Sequence, residues 1–424
     1  MHVDRGKLAL LKRAAARLFG LELFLDVVSN QLTLRIGTPA VEPYLVDDYN
    51  PEYDKAVAAL PEVRSQGDGI CSAIGLLVPL IANLRPLVLL DEPETFLHPP
   101  QAQTIGREIG RAAKVERAQV IVATHDKNVL QGLIESNATV TILHLTREGD
   151  SAHAQVLKPE DVSELWADPI LRYTNALDGL FHSAVIITEG ERDAHFYNAA
   201  IDYVLGVGND DVPAHNIMFV GVSGKTNIAR IAGRLQKLGV RAVSCPDLDV
   251  LNDEHVLSTL VEAHGGTWGA ISKDFHSATN QFKDAPSAPA IDAIKQRVDE
   301  ILASDPQNQV LTKRLASELR EAVKLPSGTW SQLKAFGFSA FKQDKAAAGR
   351  LFEHLESLGI VPVKVGELEN FVTSTSPPKG PAFLSVAFRE HAHTSAQAIE
   401  QAERLLRAAG IPLHHRAVAE VGID

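Results

Sequence analysis

Apolar positions fall into two successive runs of helix-like and strand-like spacing, with a polar stretch between them. Residues near 5–18 carry apolar side chains at three- and four-residue intervals, which predicts a helix, and LELFLDVV and QLTLRIG alternate as strands do. A loop rich in Pro, Asp and Tyr follows. From Ser65 onward the pattern predicts a helix (CSAIGLLVPLIANL), a buried strand (PLVLLDE), a helix (QAQTIGREIGRAAK) and two further strands (AQVIVATHD and ATVTILHLT). Continuous apolar strands alternating with helices imply an α/β fold with a mainly parallel sheet covered on both faces. The stretch 147–182 shows no sustained period and is expected to connect two domains.

The second run gives strand SAVIITEG, helix ERDAHFYNAAID, strand NIMFVGV, helix TNIARIAGRLQKLG and strand VRAVSCPDLD. Residues 250–330 read as mostly helical, an insertion projecting from the sheet. LFEHLESLGIVPVKVGELENF returns to helix and strand, and 393–410 has the spacing of a terminal amphipathic helix. The expected organisation is a first domain over 1–150, a connector over 151–182, and a second domain over 183–424 with its helical insertion at about 250–330.

Composition narrows the possibilities. The 424 residues carry 41 Lys+Arg against 53 Asp+Glu, a formal charge of −12, which excludes a generally basic protein that coats nucleic acid. Two cysteines, Cys71 and Cys245, cannot build a disulfide framework or a cysteine-based zinc site. The N-terminus lacks the apolar core of a secretion signal, and no stretch approaches roughly 18 uncharged apolar residues. A cytoplasmic location without membrane contact is expected.

The first candidate chemistry lies at strand ends of the first domain. LVLLDEPETFLHP places Asp91 and Glu92 after an apolar strand, suited to a metal-linked carboxylate and a carboxylate that polarises water. VIVATHD ends in His125, positioned to sense a γ-phosphate. RSQGDG puts Ser65 and Gly67 just before a helix, where backbone N–H groups receive phosphate. In this order the three segments resemble the Walker B, switch-histidine and signature motifs of ABC-type ATPases. The phosphate loop G-x-x-x-x-G-K-[ST] has no match in the sequence, and the nearest string, Val222 to Thr226, reads as a strand-to-helix turn with Lys225 at most a phosphate contact. The expectation is a partial ATPase lobe whose N-terminal lobe is missing, with ATP as a cofactor only when that lobe is supplied.

The second candidate chemistry is a group of carboxylates. VIITEGERD places Glu189 after a buried strand and Asp193 one turn into the next helix, and VRAVSCPDLD ends another strand with Asp247 and Asp249 on one side. Oxygen ligands without His or Cys select Mg²⁺ or Mn²⁺. The bland alternative is a helix cap at Glu189 and solvated loop charges at the two aspartates. Two such motifs on strand ends of one βα succession outweigh it. The E-G-x-x-D and D-x-D pair resembles the Toprim domain. All six tyrosines precede the D-x-D without a DNA-binding domain around them, which argues against a covalent topoisomerase, and two cysteines cannot supply the zinc modules of Toprim primases. Phosphodiester hydrolysis remains.

An ABC-type head followed directly by a Toprim domain resembles the OLD (overcoming lysogenization defect) family. That resemblance extends to GELEN at 366–370, whose Glu367 and Glu369 match a late acidic motif. It implies a metal-dependent DNA endonuclease of phage defence or DNA processing, using two Mg²⁺ or Mn²⁺ ions. Glu189, Asp193, Asp247, Asp249, Glu367 and Glu369 become metal ligands, and Glu189 and Asp247 also carry catalysis. The resemblance further implies a late catalytic lysine, for which Lys379 fits better than Lys364 or Lys334, together with DNA as partner, a homo-oligomer, and a helicase-like protein as a further partner. The alternative is a non-cleaving, ATP-driven DNA-binding or assembly protein that keeps the Toprim fold as a platform. A pure chromosome-maintenance ATPase would need heptad arms, which this sequence lacks.

Overall fold

A computed structural model describes residues 4–413 apart from 30, 45–48, 117, 149, 168–174, 207–215, 284–290, 304–311, 324–328 and 374–379. The chain divides into two compact units, Met1–Phe181 and His182–Asp424. Among the described residues no helix is long and apolar enough to cross a membrane.

In the first unit α1 (Arg5–Phe19) begins where the Asp4 carboxylate accepts the N–H groups of Gly6 and Lys7, and it ends on left-handed Gly20. Strands β1 (Leu23–Asp26) and β2 (Thr33–Ile36) pair antiparallel, and α2 (Pro51–Ala58) follows. Next come α3 (Asp68–Ile81), β3 (Leu87–Asp91), α4 (Pro99–Glu116), β4 (Gln119–Ala123) and α5 (Lys127–Glu135), with β3 and β4 parallel. Leu11 and Leu18 of α1, Ile74 and Leu77 of α3, and Ile105 and Ile109 of α4 form the buried core.

These helices cover one face of the β3–β4 pair. Val88, Leu90, Val120 and Val122 pack against the core, whereas Leu87, Leu89 and Ile121 on the opposite face are 48%, 70% and 60% exposed. The expectation of a doubly covered sheet is corrected here, because the two strands are apolar on both faces but only one face meets helices among the described residues. The third expected strand also leaves the parallel sheet. It is β5 (Ile142–Glu148), which pairs antiparallel with β6 (Ser151–Leu157), and α6 (Pro159–Ala167) follows. The segment read as a connector therefore carries a strand and a helix of the first unit.

The second unit is a three-stranded parallel sheet of β7 (Ala184–Thr188), β8 (Ile217–Gly221) and β9 (Ala242–Cys245) in the order β8-β7-β9, joined through α7 (Glu191–Leu205) and α8 (Lys225–Lys237). Strands β7 and β9 are buried along their whole length, as unbroken runs of small apolar residues in a parallel sheet should be. Residues 359–363 extend the sheet beyond β9: the N–H groups of Ser244, Val361 and Val363 donate to the carbonyls of Gly359, Ser244 and Pro246. Only one ladder bridge, Ser244 with Ile360, forms there. Pro362, without an N–H, keeps this run from becoming a regular strand.

Residues 250–330 are helical as read, but only partly projecting. Helix α9 (Glu254–Ala263) buries Leu257, Leu260 and Val261 against α8, and α10 (Trp268–Thr279) packs on α14 (Lys345–Ser357). Helices α11 (Ile291–Ala303) and α12 (Lys313–Ala322) pair with each other, and α11 buries none of its described side chains. Then come α13 (Ser331–Phe336), α15 (Ala382–Arg389) and α16 (Ala396–Ala408), the last packed on α7. Phe196, Tyr197, Phe371 and Phe383 close the core between helices and sheet.

Candidate metal centre

Both acidic motifs stand at the carboxyl ends of the central strands. After β7 the chain turns at Glu189 and Gly190 into α7, whose first turn holds Glu191 and Asp193, acids that favour the positive end of the helix dipole. The turn is tight. The Gly224 N–H donates to the Glu189 carbonyl at 2.9 Å, and the end of β8 lies so close that a Cβ on Gly221 would stand 2.5 Å from the Glu191 nitrogen. At the end of β9, the Asp247 N–H donates to Glu189 Oε1 at 3.1 Å and so ties together two motifs 58 residues apart. Leu248 is fully buried between Asp247 and Asp249; Asp247 stands at the N-cap of a short 3-10 helix, Leu248–Asn252, and Asp249 lies in its first turn.

The late acidic motif docks on the same loop. The Leu248 N–H donates to the Gly366 carbonyl at 2.9 Å. Gly366 has φ +110°, and a Cβ there would lie 2.4 Å from the Lys334 carbonyl oxygen, so only glycine lets α13 approach this turn. Asn370 Nδ2 fastens the approach by donating to the carbonyls of Lys334 and Val365. Lys334 thereby reaches the carboxylates, with Nζ 2.9 Å from Asp249 Oδ2 and 3.8 Å from Glu367 Oε2. Lys225 approaches Asp249 from the start of α8, 3.5 Å from Oδ1 and 3.1 Å from the backbone carbonyl oxygen. On the opposite flank Arg192 stands 3.6 Å from Glu369 Oε1.

These acids are short of positive charge. Burial, reinforced by Glu189, Asp193 and Asp249, pushes the Asp247 carboxyl up to about 8, against some relief from Lys334. Burial raises Asp193 to about 6, with Glu369 adding to the effect while backbone N–H groups and Arg192 oppose it. Glu189 is also raised, by burial first and then by Asp249. Burial works against the charge of Lys334, but its hydrogen bond and attraction to Asp249 outweigh that and raise its pKa. Asp249 Oδ1 is buried and accepts no hydrogen bond. An all-oxygen donor set, mutually repelling and carrying a buried oxygen without a hydrogen bond, fits a hard divalent cation in its chemistry. In geometry it is open, since among the described residues no three His, Cys, Asp or Glu side chains converge closely enough to hold a metal ion.

All six acids named from the sequence thus gather in one neighbourhood, Glu367 on the Asp249 side and Glu369 on the Asp193 side. Asp193, rather than Glu189, takes backbone hydrogen bonds at the start of α7. Lys364 is corrected: its ammonium donates to Glu400 at 2.8 Å, on α16, instead of meeting the acids. Lys379 lies outside the described residues. The lysines that reach the acids are Lys334, placed behind Lys379 from the sequence, and Lys225, read there as at most a phosphate contact. Lys225 directly follows a strand-to-helix glycine, which is a visible signal, whereas Lys334 has none.

In the first unit, Asp91 ends β3 and Glu92 follows in a left-handed conformation, φ 44°, its N–H bonded to the Ala123 carbonyl of β4 at 2.9 Å. His125 Nδ1 lies 3.3 Å from Glu92 Oε1 and 3.7 Å from Glu94 Oε1. Glu94, which the motif reading passed over, is buried and accepts a hydrogen bond from Thr124 at 2.7 Å. Ser65 ends a short 3-10 turn with its hydroxyl on the Glu62 carbonyl, and Gly67 precedes the first residue of α3. A Cβ on Gly69 would meet the Phe96 carbonyl oxygen at 2.6 Å, so the start of α3 abuts the turn that follows Glu92.

A parallel sheet with E-G-x-x-D and D-x-D carboxylates joined at its strand ends defines a Toprim centre. Residues 180–249 match the Overcoming lysogenization defect protein-like Toprim domain family, and residues 28–131 match an AAA domain family described with the AbiEii toxin of Type IV TA systems. The two matches put an ATPase-like domain ahead of an OLD-like Toprim domain, the order that the sequence motifs led us to expect. The Old nuclease of Escherichia phage P2 is 24% identical over 173 residues, which are 39% of this chain and 28% of the relative's length. A solved structure from work on ATP-driven dimerization and DNA-stimulated activation of SMC ATPases aligns with 38% of this chain and 90% of its own, at 14% identity and a TM-score of 0.26. That last likeness is too slight to bear on fold or partners. The Toprim and Old nuclease matches support a nuclease-type function.

Proposed function

We propose that the chain is a metal-dependent endonuclease acting on DNA, of the kind used in phage defence or DNA processing, working in the cytoplasm as a homo-oligomer and alongside a helicase-like partner. The observation that carries this reading is the hydrogen bond from the Asp247 N–H to Glu189, which joins the two acidic motifs at the carboxyl ends of β9 and β7. Glu189, Asp247 and Asp249 would hold Mg²⁺ or Mn²⁺, with Asp193, Glu367 and Glu369 completing the donors. When bound, such cations supply Lewis acidity to the scissile phosphate and stabilise charge on the leaving oxygen. The chain's own part is to gather the carboxylates in a partly dry crevice and to place Lys334 and Lys225 beside them, where cationic groups offset phosphate charge. Lys379 remains a further candidate for that role.

Asp91, Glu92, His125, Ser65 and Gly67 support half of a nucleotide site. It becomes competent for ATP only with a phosphate loop from outside the sequence described, so hydrolysis by this chain alone is not expected.

Supercoiled plasmid incubated with the protein and Mn²⁺ should be nicked or linearised, and Asp247→Ala should slow this by about 100-fold or more, the loss expected on removing a central electrostatic group. Intact plasmid, or equal cutting by the variant, overturns the proposal. The open spacing of the acids favours one second reading, a non-cleaving DNA-binding platform. Its mark would be DNA retention that is equal with Mn²⁺ and with chelator, without product.

A further inference from the structure

The centre already contains a cation. Lys334 Nζ bridges Asp249 Oδ2 and Glu367 Oε2 at 2.9 and 3.8 Å, and its side chain is 43% exposed, so it can swing out toward water. The backbone beneath it is fixed: Asn370 holds the Lys334 carbonyl, and Gly366 admits it at a distance no other residue would allow. Lys225 shares Asp249 but also donates to the Asp249 backbone carbonyl, a partner it keeps if the carboxylate turns elsewhere. Among the described residues the Lys334 ammonium makes no backbone bond of that kind. Of the two ammonium groups, it gives up its carboxylate partners when Asp249 and Glu367 take another cation.

We infer that Lys334 is a tethered counter-ion that occupies the Asp249–Glu367 side of the centre until a divalent cation displaces it, and so sets how tightly that side binds metal. The inference rests on the proposed metal centre and assigns Lys334 a positioning role toward it. Without metal, the ammonium keeps two carboxylates of this side from repelling each other and holds the α13 turn against the 366–370 turn. On loading, the divalent charge replaces the ammonium, which moves toward solvent, where incoming phosphate would meet it.

The test is Mn²⁺ binding by the full chain, read from the electron paramagnetic resonance signal of unbound Mn²⁺, together with the Tm in chelator. Lys334→Met removes the competitor and one positive charge while keeping the length of the side chain. It should bind Mn²⁺ about tenfold more tightly, about 1.4 kcal/mol, and melt lower than wild type in chelator, with the difference closing when Mn²⁺ is added. Lys334→Arg keeps the charge and should return affinity to near the wild-type value. Lys364→Met, which removes an ammonium paired with Glu400, should leave Mn²⁺ affinity unchanged. Equal affinity in wild type and Lys334→Met overturns the inference, as does equal tightening in Lys364→Met, which would reduce the effect to net charge. Absence of Mn²⁺ binding by the wild type, or binding unaffected by Asp247→Ala, would instead remove the metal centre itself and this inference with it.

Discussion

At the scale of single residues, half-buried Asp247 and buried His264 are pushed in opposite directions. A carboxyl held near 8 favours its protonated form in the folded chain, so the stability it contributes is present below about pH 4 and is lost as pH rises through about 8. The metal-free protein should therefore melt at progressively lower temperature as pH is raised across that window, and Asp247→Asn should flatten the slope. A Tm in chelator that stays level from about pH 5 to about pH 8.5 would refute this. His264 runs the other way. Burial lowers its pKa to about 4, and its ring is held between Ser244 Oγ at 2.7 Å and the Leu358 carbonyl at 2.9 Å. Its contribution is present above about pH 6.5 and is lost as pH falls toward about 4, so His264→Gln should weaken the acid-side decline of Tm. The six acids were legible in the sequence because each pair sits within four residues on a recognisable strand end. Lys334 was not, because what brings it to Asp249 is the close approach of α13 to Gly366, about thirty residues further on, and no local period encodes such a meeting.

At the scale of elements, the centre depends on how tightly β8 passes the turn after β7. Gly221→Ala would place a methyl group 2.5 Å from the Glu191 nitrogen, a backbone atom that cannot swing aside. The expected cost is about 1–3 kcal/mol, seen as a Tm lower by several degrees. Mn²⁺ binding should weaken as well, because Glu189 and Asp193 flank the displaced turn. Gly233→Ala in α8 is the control: its new methyl group would meet Ala263 Cβ at an ordinary 3.5 Å, and the better helix former should leave Tm level or raise it slightly. If both variants melt alike, the close approach does not hold the turn. The same scale shows where periodicity misled. PLVLLDE and AQVIVATHD are apolar at nearly every position, the usual mark of a strand covered twice, but periodicity reports what a strand can bury and not what arrives to bury it. For β7 and β9 the same pattern was right, because α7, α8 and the residues 359–363 surround them.

At the scale of the whole molecule, the order of the two functional parts was legible from motif order alone, and the family matches bear it out. The division after Phe181 was less so, because β6 pairs back onto β5 through polar residues that carry no clear alternation. The uncovered face of β3 and β4 has its own consequence. Three large apolar side chains exposed together mark a surface prone to association. Replacing Leu89 and Ile121 with Lys should lower concentration-dependent light scattering and dye binding while changing Tm little, since exposed substitutions usually move stability by about 0.5 kcal/mol or less. Unaltered scattering would show that this face is not what drives association.

The strand order β8-β7-β9 carries a final implication. From β7 the chain leaves by α7 toward β8, while the loop after β9 departs toward 359–363 on the other side, so the two outgoing connections part above the strand ends. The notch between them is a topological switch point, a product of chain routing rather than of the acids that line it. It would persist if every acid were replaced by a neutral residue, and would then rest on less mutual repulsion than before. The scaffold and the acids are therefore separable: a version of this chain with the acids neutralised should be at least as stable as the wild type when metal is withheld, with an equally well-formed crevice into which other ligand-binding groups can be set.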